Sequence, residues 1–277
     1  MEKMLYVTDA VKLNMQCLDF ACYLCNLTHS KLTGIFLENL EQEARSVATI
    51  RERAVSSAIP GASVRELKEN YCEENILAFK RACEARGVNS TVHRDRGVPI
   101  TEIVAESRFA DLIVIDASTS FSDERETVPT AFVKEVLQDT ECPVVIATES
   151  FEGIDEIVFT CDHSRSSVFA IKQFTYLFPE LRDRRALILS VTEPGKAANS
   201  DKYKLKEWLK AHYDHTDQVV LEDGNTRARL LEYLLGRNRV FIVMGAYGRG
   251  MMSSFFSPSH ATPVVKVVTQ PVFIAHH

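Results

Sequence analysis

The residues best suited to chemistry in this chain lie together in Ile242-Val-Met-Gly245-Ala-Tyr-Gly248-Arg-Gly250-Met-Met-Ser253-Ser254-Phe-Phe-Ser257-Pro258-Ser259. An apolar run that reads as a buried strand passes into a glycine-rich loop and then into a helix start. That order suits anion binding. Glycines let backbone N–H groups approach a phosphate closely, and a helix N-terminus adds unpaired donors and the positive end of a dipole. Binding is therefore the first function to consider.

Other chemistry is thinly supported. Cys22-x-x-Cys25 has redox-motif spacing but falls within a helical pattern, where thiols usually fill core space. His212-x-x-His215 and Cys161-x-His163 would need unknown tertiary partners to hold a metal, so no metal ligands are assigned. No Walker lysine motif, no evident metal carboxylates and no nucleophile–base pair stand near the glycine loop, so no catalytic residue is assigned and hydrolysis, if any, is expected to be slow.

The elements that must position this loop occur twice. Ala110-Asp-Leu-Ile-Val-Ile-Asp116 aligns with Arg239-Val-Phe-Ile-Val-Met-Gly245, Pro129-Thr130 aligns with Pro258-Ser259, and Cys142-Pro143-Val-Val-Ile-Ala147 matches Gln270-Pro271-Val-Phe-Ile-Ala275. The openings also match: Met4-Leu-Tyr-Val-Thr-Asp9 and Ile157-Val-Phe-Thr-Cys-Asp162 each read as a buried strand ending in an acid. The first half is the longer, with an insertion placed in Glu38 to Cys83, and the domains are read as 1–149 and 153–277.

In the second half the pattern predicts strands at 156–161, 185–191, 217–221, 239–244 and 271–275, separated by helices at about 164–178, 200–212, 225–236 and 259–269. Near-continuous apolar strands alternating with helices imply an α/β fold: two tandem five-stranded, mostly parallel sheets with helices on both faces. Right-handed crossovers bring the C-terminal ends of the strands to one edge, so Asp162 and the Gly245 loop share a crevice.

With 277 residues, 45% hydrophobic, the chain can bury two cores of ordinary size. Its formal net charge of −6, without basic tracts, argues against nucleic acid or an anionic membrane as partner. Seven cysteines without regular spacing, no apolar run of membrane-spanning length and no signal-peptide pattern make a cytoplasmic location the expectation.

Gly245-Ala-Tyr-Gly248, the nine residues Arg249 to Ser257, and then Pro258-Ser259 resemble the Gly-x-x-Gly, nine residues, Gly-Ser/Thr signature of the universal stress protein family, with proline replacing the third glycine. The acid-terminated opening strands and the Pro-Val-Φ-Ile closing strands are similar to that family in both halves. The resemblance implies a tandem universal stress protein with ATP, with or without Mg2+, bound by the second half. Asp162 and Val191 would then flank the adenosine, Met244 and Gly245 would follow the ribose and first phosphate, and Gly248, Ser253, Ser259 and His260 would approach the phosphate tail, with Arg249 adding a cation. A turn acid at Asp162 and a core valine at Val191 account for those two residue types equally well. Pro258 lacks an N–H and so removes one donor.

In the first half both glycines are absent, and Asp116, Asp123, Glu124 and Glu126 surround the corresponding loop. One like-charge contact at ~4 Å costs about 4 kcal/mol at an effective dielectric near 20. This half therefore reads as a degenerate copy. Stress-response signalling through ATP binding and an unknown protein partner is the implied function; an interaction scaffold without nucleotide and a slow ATPase are the alternatives. The resemblance also implies that the closing strands Val144–Ile146 and Val272–Ile274 pair the halves into an internal pseudo-dimer, with a homodimer possible.

Overall fold

A computed structural model describes residues 1–39, 64–122, 125–148, 151–192, 201–223, 225–245 and 270–275. Contacts divide the chain into two units, Met1–Cys142 and Pro143–His277.

The first unit alternates strands and helices: β1 (Lys3–Asp9), α1 (Met15–Thr28), β2 (Lys31–Asn39), α2 (Val64–Ala85), β3 (Ser90–Gly97), α3 (Pro99–Ser107), β4 (Leu112–Ile115) and α4 (Ala131–Asp139). Its strands are parallel in the order β3-β2-β1-β4. Much of the predicted insertion lies outside the described residues. Its described C-terminal part is α2, whose Phe79 ring packs on Tyr6 and Phe36 at centroid distances of 5.9 and 5.6 Å. Gly34 of β2 makes room for it, since a Cβ there would stand 2.8 Å from the Phe79 ring. One face of α2, with Cys72, Phe79 and Cys83, is thus core, while Arg65, Glu66, Glu73 and Glu74 are exposed.

The second unit contains β5 (Val144–Ile146), β6 (Glu156–Thr160), α5 (Arg165–Leu177), β7 (Arg185–Thr192), α6 (Asp201–Lys210), β8 (His215–Glu222), α7 (Thr226–Leu234), β9 (Val240–Gly245) and β10 (Val272–Ala275). The strand order is β5-β10-β9-β6-β7-β8. All neighbours are parallel except β5, which runs antiparallel to β10 with Ile146 opposite Val272 and Val144 opposite Ile274. The closing strands of the two sequence repeats therefore pair, and this pairing draws β5 into the second unit, so the contact boundary falls at Cys142/Pro143. The helix expected at 259–269 lies outside the described residues.

Burial follows strand position. All residues of β9 and β10 are buried, whereas β8, at the end of the strand order, alternates between exposed and half-buried residues. A strand covered on both faces must be apolar throughout, and an edge strand need not be. Beneath the C-terminal edge, Phe174 of α5 is fully buried and contacts the rings of Phe159, Phe178, Phe241 and Phe273 at 4.9 to 5.8 Å. Truncating such a hub typically costs about 3–5 kcal/mol, so α5 is firmly seated on β6, β9 and β10. All seven cysteines are buried free thiols, and Cys22 Sγ lies 4.0 Å from Cys83 Sγ and not against Cys25. That placement matches a packing role for the Cys22-x-x-Cys25 pair. Among the described residues no helix is long and apolar enough to cross a membrane.

Candidate functional site

In the second unit β6 has β7 on one side and β9 on the other, so the direction of winding reverses between β6 and β9. In open α/β sheets the loops at such a reversal separate and leave a crevice beyond the strands' C-terminal ends. One wall of the crevice is the turn from β6 into α5. Cys161 extends the strand, its N–H donating to the Leu189 carbonyl at 2.9 Å. Asp162 Oδ1 then accepts the Ser164 N–H at 2.8 Å, and His163 takes a left-handed conformation with φ of 65°. Ser164 caps α5 by accepting the Ser167 N–H at 3.2 Å, satisfying one of the donors that a helix start leaves unpaired.

The opposite wall is the end of β9. A Cβ on Gly245 would stand 2.5 Å from the Ser166 carbonyl carbon and 2.6 Å from the Ser166 oxygen and the Ser167 nitrogen. Only a glycine admits the first turn of α5 this close. Gly245 therefore has a packing duty that the strand–loop pattern did not reveal, and it brings a helix N-terminus to the crevice.

Topology gathers Asp162, Val191, Met244 and Gly245 at the ends of β6, β7 and β9. Asp162 is exposed, and beyond its turn bond it keeps Oδ2 without a partner among the described residues. Val191 is half-buried near the end of β7, opposite Leu221. Met244 is only 1% exposed, so its side chain belongs to the core and its backbone alone borders the crevice. Gly248, Arg249, Ser253, Ser259 and His260 lie outside the described residues. Two neighbours that the sequence reading did not assign to the crevice, Ser164 and Ser167, complete the α5 start; the serine-rich run after Asp162 was their signal. Cys161 Sγ lies 3.8 Å from His163 Nδ1 and 3.7 Å from Ser167 Oγ. Burial pushes the Cys161 thiol up, against opposing hydrogen bonds from the His163 backbone and Ser167. No group of three metal-ligating side chains occurs among the described residues.

The first unit has the same frame with different contents. Asp9 Oδ1 accepts the Val11 N–H at 2.9 Å, the counterpart of the Asp162 turn. Asp116, however, stands where the second unit has Gly245. Its Oδ2 accepts from Asn14 Nδ2 at 2.6 Å and from the Ser118 hydroxyl at 2.9 Å, while its Oδ1 accepts the Ser118 N–H at 2.8 Å. Asn14 is the cap of α1, so the carboxylate is tied to the helix start. At α4, Thr130 accepts the Val133 N–H at 3.3 Å, and Glu126 Oε1 accepts the Ala131 N–H at 2.9 Å. Ser120 donates to the other Glu126 oxygen. The chain's own carboxylates thus occupy positions where a bound anion would need donors.

No protein-family profile and no curated protein sequence match this chain. Among solved structures, a universal stress protein from Archaeoglobus fulgidus aligns with a TM-score of 0.66 over 99% of this chain and 98% of its own, at 17% identity. This chain has the universal stress protein fold. A putative universal stress protein from Pseudomonas aeruginosa aligns at TM-score 0.53 over 100% of this chain and 93% of its own, with 14% identity. A functionally unknown protein from the same species gives 0.51 over 100% and 92%, also at 14% identity. At these identities the likeness is one of fold. The crevice beside Gly245 lies at the sheet reversal of the second unit, and the geometry around Asp116 sets the first unit apart.

Two stability measurements check these contacts. Gly245→Ala should lower unfolding free energy by about 2–3 kcal/mol in urea titrations, because the added carbon meets backbone on α5 and no movable side chain. Glu126→Ala should cost about 1 kcal/mol through loss of the acid at the α4 N-terminus; an unchanged midpoint would show that this carboxylate does not hold the helix start.

Proposed function

We propose that this chain is a nucleotide-responsive binding protein of the universal stress protein type, taking one ATP in the crevice of its second unit. The observation that carries this reading is the contrast at the two sheet reversals: Gly245 seats a helix N-terminus, while Asp116 and Glu126 fill the corresponding first-unit positions with negative charge. Asp162 Oδ2 is available to accept hydrogen bonds from ribose hydroxyls, and Val191 offers an apolar surface to the base. By resemblance, Gly248, Ser253, Ser259 and His260 would meet the phosphates, with Arg249 and optionally Mg2+ offsetting their charge.

The role is binding and signalling in stress response, with a cytoplasmic location and a protein partner that reads the nucleotide state. Catalysis is not part of the proposal: no lysine clamp or general base has been assigned near the loop, so any hydrolysis is slow.

Nucleotide content of the purified protein, followed by calorimetric titration with ATP, tests the reading. One ATP per chain is expected. Asp162→Asn keeps the turn acceptor but removes the charge and should weaken binding by about tenfold, the equivalent of one charge-assisted hydrogen bond. Gly248→Glu should abolish binding. Gly245→Glu is the poorer choice, because its clash with Ser166 would disturb the fold as well as the crevice. No heat at millimolar ATP, with intact wild-type protein, would overturn the proposal in favour of a scaffold.

A further inference from the structure

We propose that Cys83 and Cys22 form a peroxide-responsive thiol pair in the first unit, in which Cys83 attacks a hydroperoxide and Cys22 then closes a disulfide. Cys22 lies in α1 and Cys83 in the last turn of α2, 61 positions apart in the chain, yet their sulfurs are 4.0 Å from each other. Neighbouring contacts hold this approach. Asp19, Cys22 and Asn26 share one face of α1 by helical spacing, and the two polar residues clamp the end of α2: Asp19 accepts from Arg86 Nη2, and Asn26 Nδ2 donates to the Arg86 carbonyl at 3.1 Å. Gly87, left-handed with φ of 68°, ends the helix so that the Val88 N–H donates to the Cys83 carbonyl at 2.9 Å. The two sulfurs therefore meet between helices that are tied together on both sides of them. Closing 4.0 Å to the ~2.05 Å of a disulfide takes about 2 Å of movement, which rotation about the two Cα–Cβ bonds can share.

The surroundings separate the two roles. The Cys83 thiol is held below its ordinary value by the hydrogen bond from Cys22, which outweighs burial, and the Ser90 hydroxyl and the Arg86 guanidinium add to the effect. Cys22 is pushed up by donating that bond and by burial, so it keeps its proton until the second step. The thiolate is the nucleophile toward peroxide, and Cys83 reacts first. Cys25 is set aside: its thiol donates to Met4 Sδ at 3.8 Å, and burial pushes it up to about 12. Both members of the pair are fully buried, but the residues from Glu84 to Gly87, directly after Cys83, are exposed. Helix ends fray more readily than helix interiors, and this gives a small peroxide its route. In the first step the Cys83 thiolate attacks one peroxide oxygen, the O–O bond breaks, and hydroxide leaves and takes a proton from solvent. Cys83 is then a sulfenic acid. Cys22 attacks that sulfur, the S–S bond forms, the S–O bond breaks, and the Cys22 proton leaves with the hydroxide as water. The two cysteines lose two electrons, and the peroxide takes them up. The product ties α1 to α2, and a thiol reductant reverses it. The pair belongs to the first unit and does not rest on the nucleotide reading.

The test treats the folded protein with hydrogen peroxide, blocks remaining thiols with N-ethylmaleimide and maps peptides by mass spectrometry without reduction. A link between Cys22 and Cys83, located by fragmentation and released by dithiothreitol, is expected, together with a higher urea midpoint for the oxidised protein. Cys22→Ala should leave a sulfenic acid on Cys83 that dimedone traps, Cys83→Ala should leave Cys22 unlabelled, and Cys25→Ala should form the bridge as the wild type does. If an alanine variant fails to fold, dimedone added to the wild type early in the reaction still assigns the attacking sulfur, and its label should fall on Cys83. Absence of the Cys22–Cys83 link in folded wild-type protein, a link that forms only in urea, a Cys22–Cys25 link in its place, or dimedone on Cys22 would overturn the proposal.

Discussion

The second unit depends on a contact between two backbones: the first turn of α5 lies on Gly245 at the end of β9, too close for any side chain between them. This approach fixes the helix start at the sheet reversal and with it the turn that holds Asp162, His163 and Ser164. It also sets the height of α5 over the sheet, so that Phe174 reaches the rings of β6, β9 and β10. The geometry of the crevice and the packing of the core are therefore set by the same glycine. A substitution chosen to block a ligand at this point would alter both together.

The two units show how one frame can be turned to different ends by few residues. Each has an acid-terminated opening strand whose carboxylate binds the amide two residues on. The difference lies at the reversal, where Gly245 is replaced by Asp116, and at the start of α4, where Glu126 takes the place of an outside anion. Asp116, hydrogen-bonded to Asn14 and Ser118, and Glu126, hydrogen-bonded to the Ala131 amide at the start of α4, supply the negative charge that a helix dipole favours. A polyphosphate would have to displace those bonds and overcome the repulsion of the displaced acids.

Much of this arrangement is legible in the sequence. Apolar, β-branched runs bounded by turn residues mark β6 through β10, and the family resemblance of the closing segments implies the β5–β10 pairing. The packing duty of Gly245 is not legible, because its partners, Ser166 and Ser167, are far away in the chain and the glycine-rich context suggests a ligand instead. Met244 shows the same limitation: a methionine beside a binding loop can point either way along a strand, and here it is core. Asp162 was readable as a turn acid or as a ligand group, and its geometry allows both, since the turn uses only one oxygen.

Photoaffinity labelling with 8-azido-ATP, followed by peptide mapping, addresses most directly the claim that the second unit alone takes nucleotide. Label should appear on peptides carrying Asp162 or Val191, be displaced by unlabelled ATP, and be absent from peptides carrying Asp9 or Asp116. Competable label on the first-unit peptides, or label that ATP does not displace, would contradict it.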